Sequence, residues 1–226
     1  MADSQETALT PRLLNINPEP IGVYTFANNK HLEYKEILCS ILEHAPTSFR
    51  QQHEDLTNHI CNESDQNIFK DFPELTKLQE DITKMLHHYI QALGNSCDKL
   101  ILHSAWLNKA DKDATLYDHS HSNSFVSATY FVNFDNKVHT PLSFRNDRCV
   151  SGNTPCFPFM TVPEHNKNIY NSPYISINAK EGQILIWRSH LVHGYKKPNV
   201  EGNRITLSLN CMPKILDNGA YKFEIA

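Results

Sequence analysis

The 226-residue sequence predicts an α+β chain, with helices in residues 1–98 and a mainly β remainder over residues 99–226. Two observations carry this reading. Leu75, Leu78, Ile82, Met85, Leu86, Tyr89, Ile90 and Leu93 recur at spacings of three and four, the mark of a helix with one apolar face. Beyond residue 98 that period gives way to short β-rich runs, often alternating polar and apolar, which suit strands buried on one side.

Taken in order, residues 1–20 hold Pro11, Pro18 and Pro20 and read as a polar arm leading into a first short strand at 21–26. A helix follows over about 31–44, where Leu32, Ile37, Leu38, Ile41 and Leu42 are helically spaced, and it stops before Pro46. The second helix starts at the acidic, proline-bearing Asp71-Phe72-Pro73-Glu74 and stops at Gly94-Asn95. Its stripe should pack on a sheet, which leaves His87 and His88 as surface residues. Strands are expected at 99–108, 125–134, 174–178, 183–188 and 204–212. Residues 135–172, rich in Asn, Pro, Arg and Cys, read as a long irregular insertion of functional or mobile character. The N-terminal arm and helices are expected to belong to the same domain as the β core.

Composition narrows the function. Charged residues are 20% of the chain and the net charge is −4, so neither disorder nor nucleic acid as main partner is expected. The six cysteines (Cys39, Cys61, Cys97, Cys149, Cys156 and Cys211) form no C-x-x-C pair, which argues for reduced thiols and against a zinc ribbon. No apolar run approaches the roughly 18 to 20 residues of a membrane span, and Met1-Ala-Asp-Ser-Gln-Glu lacks the features of a secretory signal. A cytoplasmic protein without a membrane partner is the expectation.

The chemistry concentrates in a few histidines. His119 and His121 are separated by one residue, and on extended backbone residues i and i+2 point the same way, so both imidazoles can meet one metal ion. His193 follows the strand Gln183-Ile-Leu-Ile-Trp187 and can supply a third ligand. Eleven residues later Arg204 opens an alternating strand whose Arg204, Thr206, Ser208 and Asn210 share one face and whose Ile205, Leu207 and Leu209 share the other. A guanidinium with a hydroxyl two residues on suits a carboxylate, so a dicarboxylate ligand fits.

In order, Ser104-Ala-Trp106-Leu-Asn108, Asp118-His119-Ser-His121-Ser-Asn-Ser124, Ser127-Ala-Thr-Tyr130-Phe-Val-Asn133, Glu181-Gly-Gln-Ile-Leu-Ile-Trp187, His193 and the Arg204 strand resemble the iron(II)- and 2-oxoglutarate-dependent oxygenase superfamily. The likeness is to its phage- and bacterial-type members with a His-x-His, His, Arg pattern. It implies a double-stranded β-helix, or jelly roll, with helices packed on the major sheet. It further implies Fe(II) held by His119, His121 and His193, with 2-oxoglutarate as co-substrate paired to Arg204 and assisted by Thr206 or Ser208. Tyr130 and Asn108 would line the co-substrate pocket, and the partners would be 2-oxoglutarate, O2 and an unidentified primary substrate. Succinate and CO2 would be released and the substrate hydroxylated. Trp106 and Trp187 read as core aromatics, and Arg145 and Arg148 as solvated loop charges that could meet an anionic substrate.

One departure stands out, because His121 occupies the position where most of the superfamily has a carboxylate. Three neutral imidazoles leave the full charge on a divalent ion, favouring an anionic co-ligand. Asp118 is an alternative ligand if the backbone is irregular, or an acid that orients a ligating imidazole. Two rival readings remain: a three-histidine dioxygenase without 2-oxoglutarate, which has no need of Arg204, and a non-catalytic jelly-roll binding protein.

Overall fold

The computed structural model describes residues 18–146 and 163–225. Two helices of 17 residues each, α1 (Asn28–His44) and α3 (Thr76–Ala92), sit on one face of a large sheet. α1 stops where Pro46 forces Ala45 out of helical geometry, to φ −56° and ψ 141°. A single 3-10 turn, Pro73–Leu75, leads into α3, with proline where a missing N–H costs nothing. Beyond the far end of α3, Gly94 takes φ +80°. Tyr34, Leu38 and Ile41 of α1, with Leu78, Ile82, Leu86 and Ile90 of α3, join the sheet's Ala105, Leu107, Ala128, Val132, Ile186, Leu207 and Leu209 in one apolar cluster.

The large sheet is antiparallel, in the order β1 (Gly22–Thr25), β9 (Gln183–Arg188), β6 (Val126–Asn133), β11 (Arg204–Pro213), β4 (Leu100–Ala110), β3 (Thr57–Ile60), β2 (Arg50–Gln52). A four-stranded sheet runs β5 (Leu116–His119), β10 (His193–Tyr195), β7 (Leu142–Arg145), β8 (Tyr174–Ile177). The chain passes from β4 in the large sheet to β5 in the small one, back to β6, on to β7 and β8, and returns through β9, β10 and β11. That winding is a jelly roll. Phe131, Phe134, Leu142, Phe144, Leu185, Trp187 and Tyr195, drawn from both sheets and their loops, form a second, smaller apolar cluster between them. Along β11 the side-chain period of two sends Ile205, Leu207 and Leu209 to the helices and Arg204, Thr206 and Ser208 into the space between the sheets.

Several short elements carry too little pattern to be read in advance. They are β2, β3, α2 (Ile68–Asp71), β5, β7, β10 and a terminal hairpin of β12 (Ile215–Asp217) and β13 (Lys222–Glu224). β7 corrects the reading of 135–172 as irregular, because residues 142–145 pair with both β8 and β10. Arg148, Cys149 and Cys156 and the arm over residues 1–17 lie outside the described residues. Among the described residues Cys39, Cys61, Cys97 and Cys211 are free thiols, and no helix is long and apolar enough to cross a membrane.

Candidate metal centre

His119 ends β5 and His193 begins β10, and the two are direct partners across the antiparallel pair. Close approach of these strands depends on Gly194: a Cβ there would lie 2.6 Å from the Leu116 carbonyl oxygen and 2.9 Å from that of Tyr117. His121 follows β5 on backbone held by its N–H donating to the Ser189 carbonyl at 3.0 Å. One ligating nitrogen from each of the three rings lies within 4.8 Å of the other two. An ion at about 2.1 Å from each would hold them roughly 3 to 3.5 Å apart, a closure that small side-chain rotations supply.

Backbone carbonyls orient two of the rings. His119 Nδ1 donates to Tyr117 O and His193 Nδ1 to Leu191 O, both at 2.8 Å, which leaves Nε2 of each with a free lone pair. Trp187 packs edge-on against His193 at a 4.8 Å centroid distance, and Phe144 lies at 6.0 Å. Burial, and then the neighbouring His119, push His193 down to about 3 and His121 down to about 4. Both imidazoles are therefore neutral near pH 7, the form that binds metal.

Asp118 serves neither role weighed for it. Its side chain projects from the other face of β5, where it accepts a hydrogen bond from Tyr174 Oη at 2.6 Å and pairs with Lys196 at 3.2 Å. Among the described residues the ligand cluster contains no carboxylate. Arg145, on β7, lies within electrostatic reach of Asp118.

The triad opens on a cavity between the sheets, which Asn108, Arg204, Thr206 and Ser208 also line. Asn108 Nδ2 donates to Ser208 Oγ at 3.0 Å, joining β4 to β11. Arg204 is 4% exposed and forms no ion pair with any described residue, and its Nε has no hydrogen-bond partner. Its guanidinium lies 4.6 Å from the Tyr195 ring, 5.4 Å from Phe134 and 5.7 Å from Phe131. Burial pushes its pKa down. Thr57 Oγ1 and Trp187 Nε1 are also buried without partners and line the same cavity. Each such atom costs about 1 to 3 kcal/mol when left unsatisfied, so three in one cavity describe a polar binding site.

Tyr130 is a correction to the expected pocket lining. The alternation of β6 places it, with Ala128 and Val132, on the helix side of the sheet, fully buried and hydrogen-bonded at 2.7 Å to His31. Its β6 neighbours Ser127, Ala128 and Thr129 line the cavity, and Tyr130 does not. Trp106, read as a core aromatic, lines the cavity only half-buried, whereas Trp187 is both core and cavity wall.

Residues 104–210 match the family model described as "Putative 2OG-Fe(II) oxygenase". The match covers just under half of the chain, and over it the segment is similar to the 2OG-Fe(II) oxygenase family. Among solved structures, the oxygenase fold is shared with HygX from Streptomyces hygroscopicus with nickel and 2-oxoglutarate bound, at 14% identity and a TM-score of 0.58 over 86% of this chain and 83% of that one. The non-heme α-ketoglutarate-dependent epimerase SnoN of nogalamycin biosynthesis matches at 11% identity and a TM-score of 0.63, over 87% and 77% of the two chains. A prolyl hydroxylase from Trichoplax adhaerens, in complex with a hypoxia-inducible-factor peptide fragment, matches at 9% identity and a TM-score of 0.56, over 86% and 84%. At these identities the likeness is one of fold. No curated protein sequence matches the chain.

Within the matched segment a second buried network reaches the triad. Asn210 Oδ1 accepts from Ser127 Oγ at 2.7 Å, Ser127 and Ser189 share a hydrogen bond at 2.8 Å, and Asn210 Nδ2 lies 3.3 Å from Ser104 Oγ and 3.5 Å from His121 Nδ1. Ser127 and Ser189 left no separate mark in the sequence, since serines in strands and turns are commonplace. Only pairing of β6 with β9 and β11 brings them together.

Proposed function

We propose that the protein is an Fe(II)- and 2-oxoglutarate-dependent oxygenase that hydroxylates its primary substrate with release of succinate and CO2. The carrying observation is the Arg204 guanidinium, buried without a counterion in the cavity that the three imidazoles also line. An isolated buried charge costs several kcal/mol, and a planar guanidinium is relieved best by a carboxylate that accepts two parallel hydrogen bonds. A dicarboxylate with one end at Arg204 and the other at the triad satisfies both.

In this reading His119, His121 and His193 would hold the iron through ligating nitrogens that lie within 4.8 Å of one another. The bound metal supplies activation of O2 and oxidative decarboxylation of the co-substrate. The protein's own residues do the rest. Arg204 and Thr206 fix the distal carboxylate, while Ser208 and Asn108, already hydrogen-bonded to each other, wall the column between Arg204 and the triad. Trp187 and Phe144 hold the His193 ring against rotation and exclude water from that side. Support comes from the family match over residues 104–210 and from neighbours crystallised with nickel or Fe3+ and 2-oxoglutarate or α-ketoglutarate. The cytoplasmic location expected from the sequence belongs to the same proposal.

The test is an anaerobic titration of the metal-free protein with iron(II) and then 2-oxoglutarate, following the weak visible charge-transfer band of the chelated co-substrate. The band should form in wild type, vanish in His193→Ala and require at least tenfold more 2-oxoglutarate in Arg204→Ala. Iron binding without a band would transfer the case to a dioxygenase that does not use 2-oxoglutarate. Failure to bind iron would leave a binding protein.

A further inference from the structure

We propose that Thr57, His59 and Trp106 form the seat of the primary substrate, and that this seat takes a planar heteroaromatic ring with polar groups on its edge. The inference rests on the oxygenase reading and adds the substrate class. Two of its residues lie outside the segment matched by the family model, on β3, where the large sheet continues past β4.

Register places them. Thr57 pairs with Ala110, which pairs with Arg204; His59 pairs with Asn108, which pairs with Thr206. Thr57 and His59 thus stand in the same rows as Arg204 and Thr206, two strands or about 10 Å to one side. Between Thr57 and Arg204 the intervening side chain is only the methyl of Ala110, so the cavity is continuous from the Arg204 column to β3.

Flat faces line this side. His53 and His59 stack at a 3.9 Å centroid distance and 41°, His59 and Trp106 follow at 6.3 Å and 38°, and Trp106 meets the candidate ligand His121 at 6.1 Å. The rings make a continuous wall from the β2–β3 turn to the metal centre. Rings of any heterocycle find a π-face there, and stacking is the interaction such a wall provides.

Polar capacity is unused in the same place. Thr57 Oγ1 is buried without a partner. The half-buried His59 imidazole makes ring contacts and no hydrogen bond with any described residue. Burial, and then His53, push His59 down to about 4, so it offers one N–H donor and one lone pair near pH 7. The nearby Asp55 carboxylate is engaged by the Thr57 backbone N–H at 3.1 Å. The three seat residues carry no charge, which favours a neutral ring edge with its own donors and acceptors over an ionic group.

The experiment uses the full chain loaded with zinc(II) and 2-oxoglutarate, and saturation-transfer NMR with adenine, uracil and nicotinamide as ring probes. Glucose and cyclohexanecarboxamide serve as probes with polar groups but no aromatic ring. Saturation should pass to ring protons of at least one heteroaromatic and to neither control. Its dissociation constant should rise at least tenfold in His59→Ala and in His59→Gln, the latter keeping a hydrogen-bonding edge without the ring and serving alone if the Ala variant does not fold. Equal binding by the variants, equal binding of the controls, or no ring bound at all overturns the seat. Calorimetric titration of 2-oxoglutarate on the same samples separates the two proposals: loss of its binding from wild type overturns the oxygenase reading, while ring binding decides the seat.

Discussion

Replacing Arg204 by Met tests whether the buried guanidinium is held for a ligand or for the fold. A lone buried charge costs several kcal/mol even after local relaxation. The Tyr195, Phe134 and Phe131 rings, at 4.6, 5.4 and 5.7 Å, each offset about 0.5 to 2 kcal/mol of that. The remaining burden on the ligand-free protein is about 1 to 3 kcal/mol, and Met fills similar space without it. At about 2 to 4 °C per kcal/mol for a chain of this size, the ligand-free variant should melt roughly 5 °C above wild type. With metal saturating in both proteins, 2-oxoglutarate at about 100 times the wild-type Kd should add about 2.7 kcal/mol to wild type, roughly 5 to 10 °C, and at most about half of that to a variant that binds it at least tenfold more weakly. The lead of the variant in melting temperature should therefore shrink on adding 2-oxoglutarate, read by circular dichroism. If the variant melts below wild type without ligand, the guanidinium is a structural part of its ring box and the argument from an unpaired charge fails.

Gly194→Ala should place a methyl 2.6 Å from the Leu116 carbonyl and lever β10 off β5, so cobalt(II) affinity by calorimetry should fall at least tenfold; unchanged affinity would show that the His119–His193 pairing is not set there. Asp118→Asn should keep metal affinity within threefold, because its carboxylate is turned to Tyr174 and Lys196; a tenfold loss would make it part of the site. Asp81 ties α3 to α1 through Lys30 and Tyr34, and first the Lys30 hydrogen bond holds its carboxyl down at about 2. A depressed carboxyl pKa stabilises the fold above the ordinary value near 4, and this contribution is lost as pH falls from about 4 to 2. Asp81→Asn should thus cost about 2 kcal/mol at pH 7 in urea unfolding and nearly nothing at pH 2; a constant difference would refute the assignment to charge.

Most of what could be read without coordinates is periodic or chemically rare. The stripe from Leu75 to Leu93 marks α3 because a 3.6-residue period sustained through all 17 residues of the helix cannot fit a strand. The β11 alternation separates Arg204, Thr206 and Ser208 from Ile205, Leu207 and Leu209, since a strand has only two faces. The His-x-His pair is legible for the same reason. Tyr130 shows the limit: one position along β6 exchanges the cavity for the helix side, and the alternation of Ser127 and Thr129 breaks at Phe131, so the Tyr130 hydroxyl points the reading to the wrong face.

By itself, then, the sequence determined the elements with long periods, the face of β11 that carries Arg204, and the residue types that gather at the centre. Tertiary structure alone decided that β2 and β3 extend the large sheet and bring Thr57 and His59 to the cavity, that Gly194 seats His193 against His119, and that Asp118 turns to Tyr174 and Lys196. The physical reason is common to all three. Strands of three or four residues have no period to recognise, and their place is set by cross-strand hydrogen bonds to partners far away in the chain.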